Sequence, residues 1–308
     1  MNILITGGFG FIGSSLANKL YDQGHKIFLV DYIDKIPEFR KIKYNEFFKV
    51  DLTSRDSLDK IKLKNIDCIC HFAGQPSAAL SFNNPQKDLV LNCITTLNLI
   101  DFASRNNVRR FLYASTFNVY DEINEKEVYG EEDPLNPKSP YANSKITSER
   151  NIKILCEKYS ISYGILRMFN VYGPGQDPYN KSLGMINIFL NMALRSNQIE
   201  VKGSLDRFRD FIYIEDVINI WHKVLLLEEN IILNVGTGTK SYVKDLLNAI
   251  IGSVSNKEIF IKQLSGTPGD FKGAIASTYR LKEVLNYQNF IPLQVGIKKY
   301  SEWVKSLI

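Results

Sequence analysis

The sequence predicts an α/β protein built on a doubly wound parallel sheet, and three observations predict it. Over the first 170 residues short β-branched runs alternate with longer amphipathic stretches. The first run ends in a cluster of glycines that opens a helix, and the second ends on an aspartate. Strands are expected at 2–6, 26–31, 46–50, 66–72, 109–115 and 162–169, and helices with apolar spacing near 3.6 at 11–23, 84–106 and 140–159. Past residue 170 the pattern loosens. Tyr172 to Gly184, rich in Gly, Pro and Asn, reads as a loop, and strand-like pieces at 199–201, 231–235 and 259–262 stand between helical stretches. The expected division is a main domain over 1–170 and a smaller, mixed α/β lobe over 171–308, some of whose segments return to the main sheet.

Composition narrows the function classes. The chain has 308 residues, 44% of them hydrophobic and 23% charged, which is the balance of a folded globular protein. The formal charge of +5 is spread along the chain, with only short clusters such as Lys60 to Lys64, so nucleic acid is not an expected partner. Met1 to Thr6 runs straight into glycines and reads as a first strand rather than a leader. No apolar run reaches the roughly 18–20 residues that span a bilayer, so no membrane association and a cytoplasmic location are expected. Cys68, Cys70, Cys93 and Cys156 are expected to be reduced thiols, and no spacing suggests a metal site.

Gly7-Gly8-Phe9-Gly10-Phe11-Ile12-Gly13 stands between the first strand and the first helix. Glycines there allow a tight turn and a close approach of backbone to a pyrophosphate, while the helix N-terminus offers free N–H groups. Gly7, Gly10, Phe11, Ile12 and Gly13 are therefore expected to hold a dinucleotide. Asp31 ends the second strand about 20 residues on, where a carboxylate accepts hydrogen bonds from the adenosine ribose. It would repel the extra phosphate of NADP, so the expected cofactor is NAD.

Tyr141 and Lys145 stand at i and i+4 just after Pro140, at the start of a predicted helix, and project from one face. A nearby ammonium lowers the phenol pKa from about 10 toward that of a useful base. Ser115 and Thr116 end a strand at the carboxyl edge of the sheet, where a hydroxyl either binds a substrate oxygen or caps the turn.

These segments, with Asp51-Leu52, His71-Phe72-Ala73-Gly74, Tyr141-Ala142-Asn143-Ser144-Lys145, Asn170-Val171-Tyr172-Gly173-Pro174, Arg209-Asp210-Phe211 and Pro268-Gly269-Asp270, resemble the extended short-chain dehydrogenase/reductases. More narrowly, they are similar to the NAD-dependent sugar-nucleotide epimerase/dehydratase group, with a Rossmann domain over 1–170 and a substrate lobe beyond it. The resemblance implies that Asp51 and Leu52 meet the adenine, that Phe72, Ala73, Gly74 and Ser115 line the dinucleotide path, and that Asn92 lies near the nicotinamide ribose. It implies Tyr141 as base, Lys145 as its tuner and ribose ligand, and Thr116 as partner of the reacting sugar hydroxyl. Asn170 and Arg209 would contact the substrate diphosphate, which suits an amide donor and a guanidinium fork. Relatives also imply a homodimer through the helices at 84–106 and 140–159.

Two departures from the family pattern carry information. Dehydratases follow the threonine with an Asp-Glu pair, whereas this chain has Phe117 and Asn118, which removes the proton carriers of dehydration. Thr267 stands where many relatives carry an arginine for the diphosphate. The expected activity is 4-epimerisation of a nucleoside-diphosphate sugar. A net 4-dehydrogenase or 4-ketoreductase using the same site is the alternative, and a 4,6-dehydratase or a non-catalytic NAD-binding protein ranks below both.

Overall fold

The computed structural model describes residues 1–120, 126–180, 184–254, 258–266 and 272–308. The chain runs β1 (Asn2–Thr6), α1 (Phe11–Asp22), β2 (Lys26–Asp31), β3 (Glu46–Lys49), β4 (Cys68–His71), α2 (Ala78–Asn83), α3 (Pro85–Leu89), a π-helical turn (Val90–Ile94), α4 (Thr95–Arg105) and β5 (Arg110–Thr116). It continues through β6 (Val128–Tyr129), α5 (Pro140–Lys158), β7 (Ser162–Met168), β8 (Asn170–Tyr172), α6 (Met185–Arg195), β9 (Gln198–Lys202), β10 (Phe208–Arg209), β11 (Phe211–Tyr213) and α7 (Ile214–Leu225). The remainder comprises β12 (Ile231–Val235), β13 (Ser241–Tyr242), α8 (Val243–Val254), β14 (Phe260–Leu264), β15 (Ile275–Ala276), α9 (Tyr279–Leu285) and α10 (Leu293–Lys305). No helix among the described residues is long and apolar enough to cross a membrane.

The first compact unit comprises the described residues of 1–121, 133–168 and 218–233. Its sheet has the order β12-β7-β5-β4-β1-β2-β3, and the pairs from β3 across to β7 are parallel. From β1 the chain winds first toward β3 and then, from β4, the other way, so the order reverses between β1 and β4. In open α/β sheets that seam is where ligands bind, beyond the carboxyl ends of the strands. Ile3, Leu4 and Ile5 are fully buried, as are Cys68 to Cys70, because the central strands are covered on both faces. Leu4, Val30, Ile69, Leu99, Phe111, Ile152 and Ile165 join one apolar core, and each such side chain contributes about 1.5–3 kcal/mol by leaving water.

The helix expected over 84–106 is three segments. Asn84 caps α3 by accepting the Lys87 N–H at 2.9 Å, and Pro85 opens it. The π turn then inserts an i→i+5 step, with the Thr95 N–H on the Val90 carbonyl, before α4 resumes. Helix α2, capped by Ser77, lies outside the sequence expectation because so short a segment has no resolvable periodicity.

The second unit comprises the described residues of 122–132, 169–217 and 234–308. Its strands form parallel pairs β8–β11, β9–β14 and β6–β15 and the antiparallel pair β10–β13. Asp210, fully buried, ties it together: one oxygen accepts the Thr237 N–H and hydroxyl, the other the N–H groups of Gly238 and Ala276.

Candidate active site

The turn after β1 is built from backbone. Gly7 has φ +64°, a conformation that favours glycine, and a Cβ on Gly13 would stand 2.4 Å from the Gly7 carbonyl oxygen. Gly10 enters α1 in extended conformation and donates its N–H to Gly7 O at 2.9 Å, and no side chain caps the helix. The first-turn N–H groups at Phe11, Ile12 and Gly13 therefore face outward with the positive end of the helix dipole. The turns after β1 and β4 abut, since a Cβ on Gly7 would meet the Ala73 nitrogen at 2.8 Å. The result is a backbone cradle whose free N–H groups suit an anion.

Asp31 closes one side of that cradle. It is 8% exposed and accepts the N–H groups of Phe9 at 3.1 Å and Tyr32 at 2.9 Å. Burial raises its pKa, and those backbone donors together with Arg40 pull it back. Arg40 itself donates to the Phe9 carbonyl. The Val50 N–H on Asp31 O brings the end of β3 alongside. There Asp51 is exposed and accepts the Thr53 N–H and hydroxyl, while the Leu52 carbonyl takes the Asn98 amide at 2.8 Å.

Phe72 packs on Trp221 with ring centroids 4.2 Å apart, and Gly74 turns with φ +154° against the Asn92 amide oxygen. Asn92, 1% exposed in the π turn, accepts the Gln75 N–H at 3.1 Å and donates to the Gln75 carbonyl at 3.2 Å. The structure thus brings Phe72, Ala73, Gly74 and Asn92 together at the seam.

At the start of α5, Ser139 caps the helix on the Ala142 N–H and Pro140 occupies its first turn. Tyr141 and Lys145 are each 6% exposed. Burial pushes Tyr141 up to about 12, and the nearby Thr116 hydroxyl pulls it the other way. Lys145 donates to the Ala114 carbonyl at 3.0 Å, lies 4.8 Å over the Tyr113 ring and 5.9 Å from the Tyr141 ring, and is lowered by burial to about 8. The ammonium is thus directed at the backbone, and Thr116 is the neighbour that lowers the proton affinity of the phenol. Thr116 Oγ1 accepts the Asn118 side-chain amide at 3.1 Å and its N–H at 3.3 Å, so its hydroxyl proton is not spent on Asn118.

Ser115 turns away from this cluster. It is 3% exposed and its hydroxyl donates to Glu149, which is paired with Arg167 at 2.8 Å; Arg167 in turn donates to the Tyr120 hydroxyl at 2.9 Å. Its side chain therefore supports a buried ion pair.

Two residues with large local roles carry no assignment from the sequence. His71, 1% exposed, is pushed down to about 3 by burial, with Lys145 adding to the effect, so it is neutral. Its Nδ1 lies 2.7 Å from the Thr6 hydroxyl and its Nε2 3.1 Å from that of Thr96, which donates to the Asn92 carbonyl. Asp88 gathers Gln75, Asn92 and Ser144 on one carboxylate. Only the spacing to Asn92 and Ser144, meaningless before the fold is known, could have pointed to it.

In the second unit Asn170 donates its amide to the Asp210 carbonyl at 3.0 Å, and Arg209 donates to the carbonyls of Phe208 at 2.7 Å and Lys272 at 3.2 Å. Thr267 and Pro268-Gly269-Asp270 lie outside the described residues. The four cysteines are free and buried, and the described residues contain no group of three His, Cys, Asp or Glu able to hold a metal.

The chain is similar to known proteins over most of its length. Residues 3–236 match the model of the NAD dependent epimerase/dehydratase family. The chain is 31% identical over 313 residues to a protein of Methanocaldococcus jannaschii provisionally assigned as a UDP-glucose 4-epimerase, covering 99% of this chain and 98% of that one. It superimposes on the UDP-glucose 4-epimerase of Thermotoga maritima, solved with UDP-glucose, with a TM-score of 0.93 and 28% identity over 100% of this chain and 99% of that one. The Thermus thermophilus UDP-glucose 4-epimerase, solved with NAD, gives 0.90 and 28% with complete coverage of both chains. A seven-stranded Rossmann sheet, a glycine cradle with its aspartate and a buried Thr-Tyr-Lys cluster thus accompany a match over most of the chain, which belongs to the NAD-dependent epimerase/dehydratase family.

Proposed function

We propose that this chain is a nucleotide-sugar 4-epimerase, with a UDP-hexose as the first substrate to try. One observation carries the choice within the family: the position two residues past Thr116 holds an amide, Asn118, whose side chain donates to the Thr116 hydroxyl oxygen at 3.1 Å beside the Tyr141 phenol. An amide cannot carry the proton that dehydration moves.

The residues fit NAD. Gly7, Gly10, Phe11, Ile12 and Gly13 cradle its pyrophosphate, Asp31 takes the adenosine ribose, and Asp51 and Leu52 border the adenine. Phe72, Ala73, Gly74 and Asn92 line the path to the nicotinamide, with Ser115 contributing its backbone only. When bound, NAD supplies the reversible hydride acceptor for carbon 4. Tyr141 removes the proton of the carbon-4 hydroxyl and returns it, Thr116 donates to the oxygen that carries charge, and Lys145 leaves the Ala114 carbonyl to hold the ribose and favour the phenolate. Asn170 and Arg209 are the proposed diphosphate ligands, a role that requires Arg209 to exchange a backbone carbonyl for phosphate.

The same reading includes a homodimer. Leu89, Val90, Ile94 and Ile154 are 44%, 38%, 37% and 64% exposed, an apolar set on helices whose relatives supply the dimer interface. The chain in sedimentation equilibrium is expected to show twice its 35.2 kDa mass and Ile154→Glu the monomer. Dependence on NAD and nucleotide sugars suits the cytoplasm.

The test is to incubate the purified protein with UDP-glucose and UDP-N-acetylglucosamine and follow products by NMR. A carbon-4 isomer without net NADH is expected. Keto sugar accumulating with stoichiometric NADH would assign a dehydrogenase, and a 4-keto-6-deoxy product would overturn the argument from Asn118.

A further inference from the structure

Asp88 is 1% exposed, and its carboxylate joins three segments of the site. One oxygen accepts Gln75 Nε2 at 2.8 Å and Asn92 Nδ2 at 3.1 Å, and the other accepts Ser144 Oγ at 2.7 Å. Gln75 follows Gly74 in the turn after β4, Asn92 sits in the π turn, and Ser144 lies between Tyr141 and Lys145 on α5. All three donors are neutral, and no Lys or Arg among the described residues stands within ion-pair distance. A carboxylate is costly to bury in this way, whereas an asparagine of the same shape would cost far less.

We propose that Asp88 is a positioning residue of the epimerase reaction: through Gln75, Asn92 and Ser144, one carboxylate fixes the spacing between the nicotinamide-side turn, the π turn and the Tyr141–Lys145 turn of α5. The inference rests on the epimerase reading. Its charge has a second effect on the two groups beside it, opposing loss of the Tyr141 proton and favouring the Lys145 ammonium. The other titratable groups packed here leave that effect visible. From β4, His71 is neutral; from β5, Tyr113 is held protonated by burial; from the π turn, Cys93 is raised by burial; on α5, Glu149 supports Lys145 alongside Asp88. Helix α2 carries no titratable side chain.

The test uses the full chain loaded with NAD. In Asp88→Asn, kcat is expected to fall about tenfold with KM for the sugar little changed, and both limbs of the kcat pH profile to move about 1 pH unit toward acid. The acid limb moves because Tyr141 loses a neighbouring anion, the alkaline limb because Lys145 loses one. In Asp88→Glu, which keeps the charge but lengthens the arm, kcat falls while both limbs stay in place. Ultraviolet titration of the phenolate, with Tyr141→Phe subtracted, needs no turnover and separates failure of this inference from failure of the epimerase reading; its midpoint is expected to drop in Asp88→Asn. Limbs and midpoint that match wild type in Asp88→Asn, or an unchanged kcat in Asp88→Glu, would overturn the proposal.

Discussion

The turn after β1 and the pocket at the start of α5 are held by different means. The first is backbone against backbone, with Gly7 in a positive-φ conformation and Gly13 pressed to the Gly7 carbonyl, and it presents N–H groups that no substitution elsewhere can remove. The second is held by side chains: Asn118 to Thr116, Lys145 to Ala114, Ser144 to Asp88, and Ser115 to the Glu149–Arg167 pair. A backbone cradle has no proton of its own to gain or lose, and pH reaches it through the Asp31 carboxylate that accepts the Phe9 N–H. A side-chain pocket can tune proton affinity, and each of its members is individually vulnerable.

The largest expected effect tests the pocket. Tyr141→Phe should lower kcat by about 10²–10⁴-fold while the purified protein still carries NAD; an equal loss of bound cofactor would mean that the two regions are not separable. Glu149→Gln leaves Arg167 buried without its counter-charge, so unfolding free energy should drop by about 3–5 kcal/mol, read from urea denaturation, with NAD content of the folded fraction unchanged. Gly13→Ala should reverse the pattern. Its Cβ must displace the Gly7 carbonyl, costing about 1–3 kcal/mol, and bound NAD should be lost while the Tyr141 titration stays in place. A Gly13→Ala protein that keeps its cofactor would refute the cradle.

The same contrast decides what the sequence made legible. Glycines at fixed offsets after a β-branched run, and an aspartate at the end of the next, announce a backbone site because few other residues satisfy its geometry. The central strands were legible within a few residues for a related reason: Ile3 to Ile5 and Cys68 to Cys70 are buried on both faces and read as unbroken apolar runs. The Tyr141–Lys145 pair was visible through helical spacing. By contrast, Asp88 and His71 act through partners distant in sequence, such as Ser144 and Thr6, and nothing local marks them. The π turn escaped because an i→i+5 step shifts the phase of a helix without interrupting its apolar pattern. The bond from Ser115 to Glu149 was invisible for a similar reason, since a strand-end hydroxyl looks the same whether it faces a ligand or a buried carboxylate.

The bonds around His71 form a one-way chain. Thr96 spends its only proton on the Asn92 carbonyl, so the imidazole must donate from Nε2; its bare Nδ1 then takes the proton of Thr6, whose oxygen receives the Ala73 N–H at 3.3 Å. Every hydrogen from Ala73 to Asn92 therefore points the same direction across the place where the sheet reverses its winding. That alignment freezes one tautomer and a standing dipole into the floor beneath the turn after β4, and it leaves mild acidification no handle by which to loosen that floor.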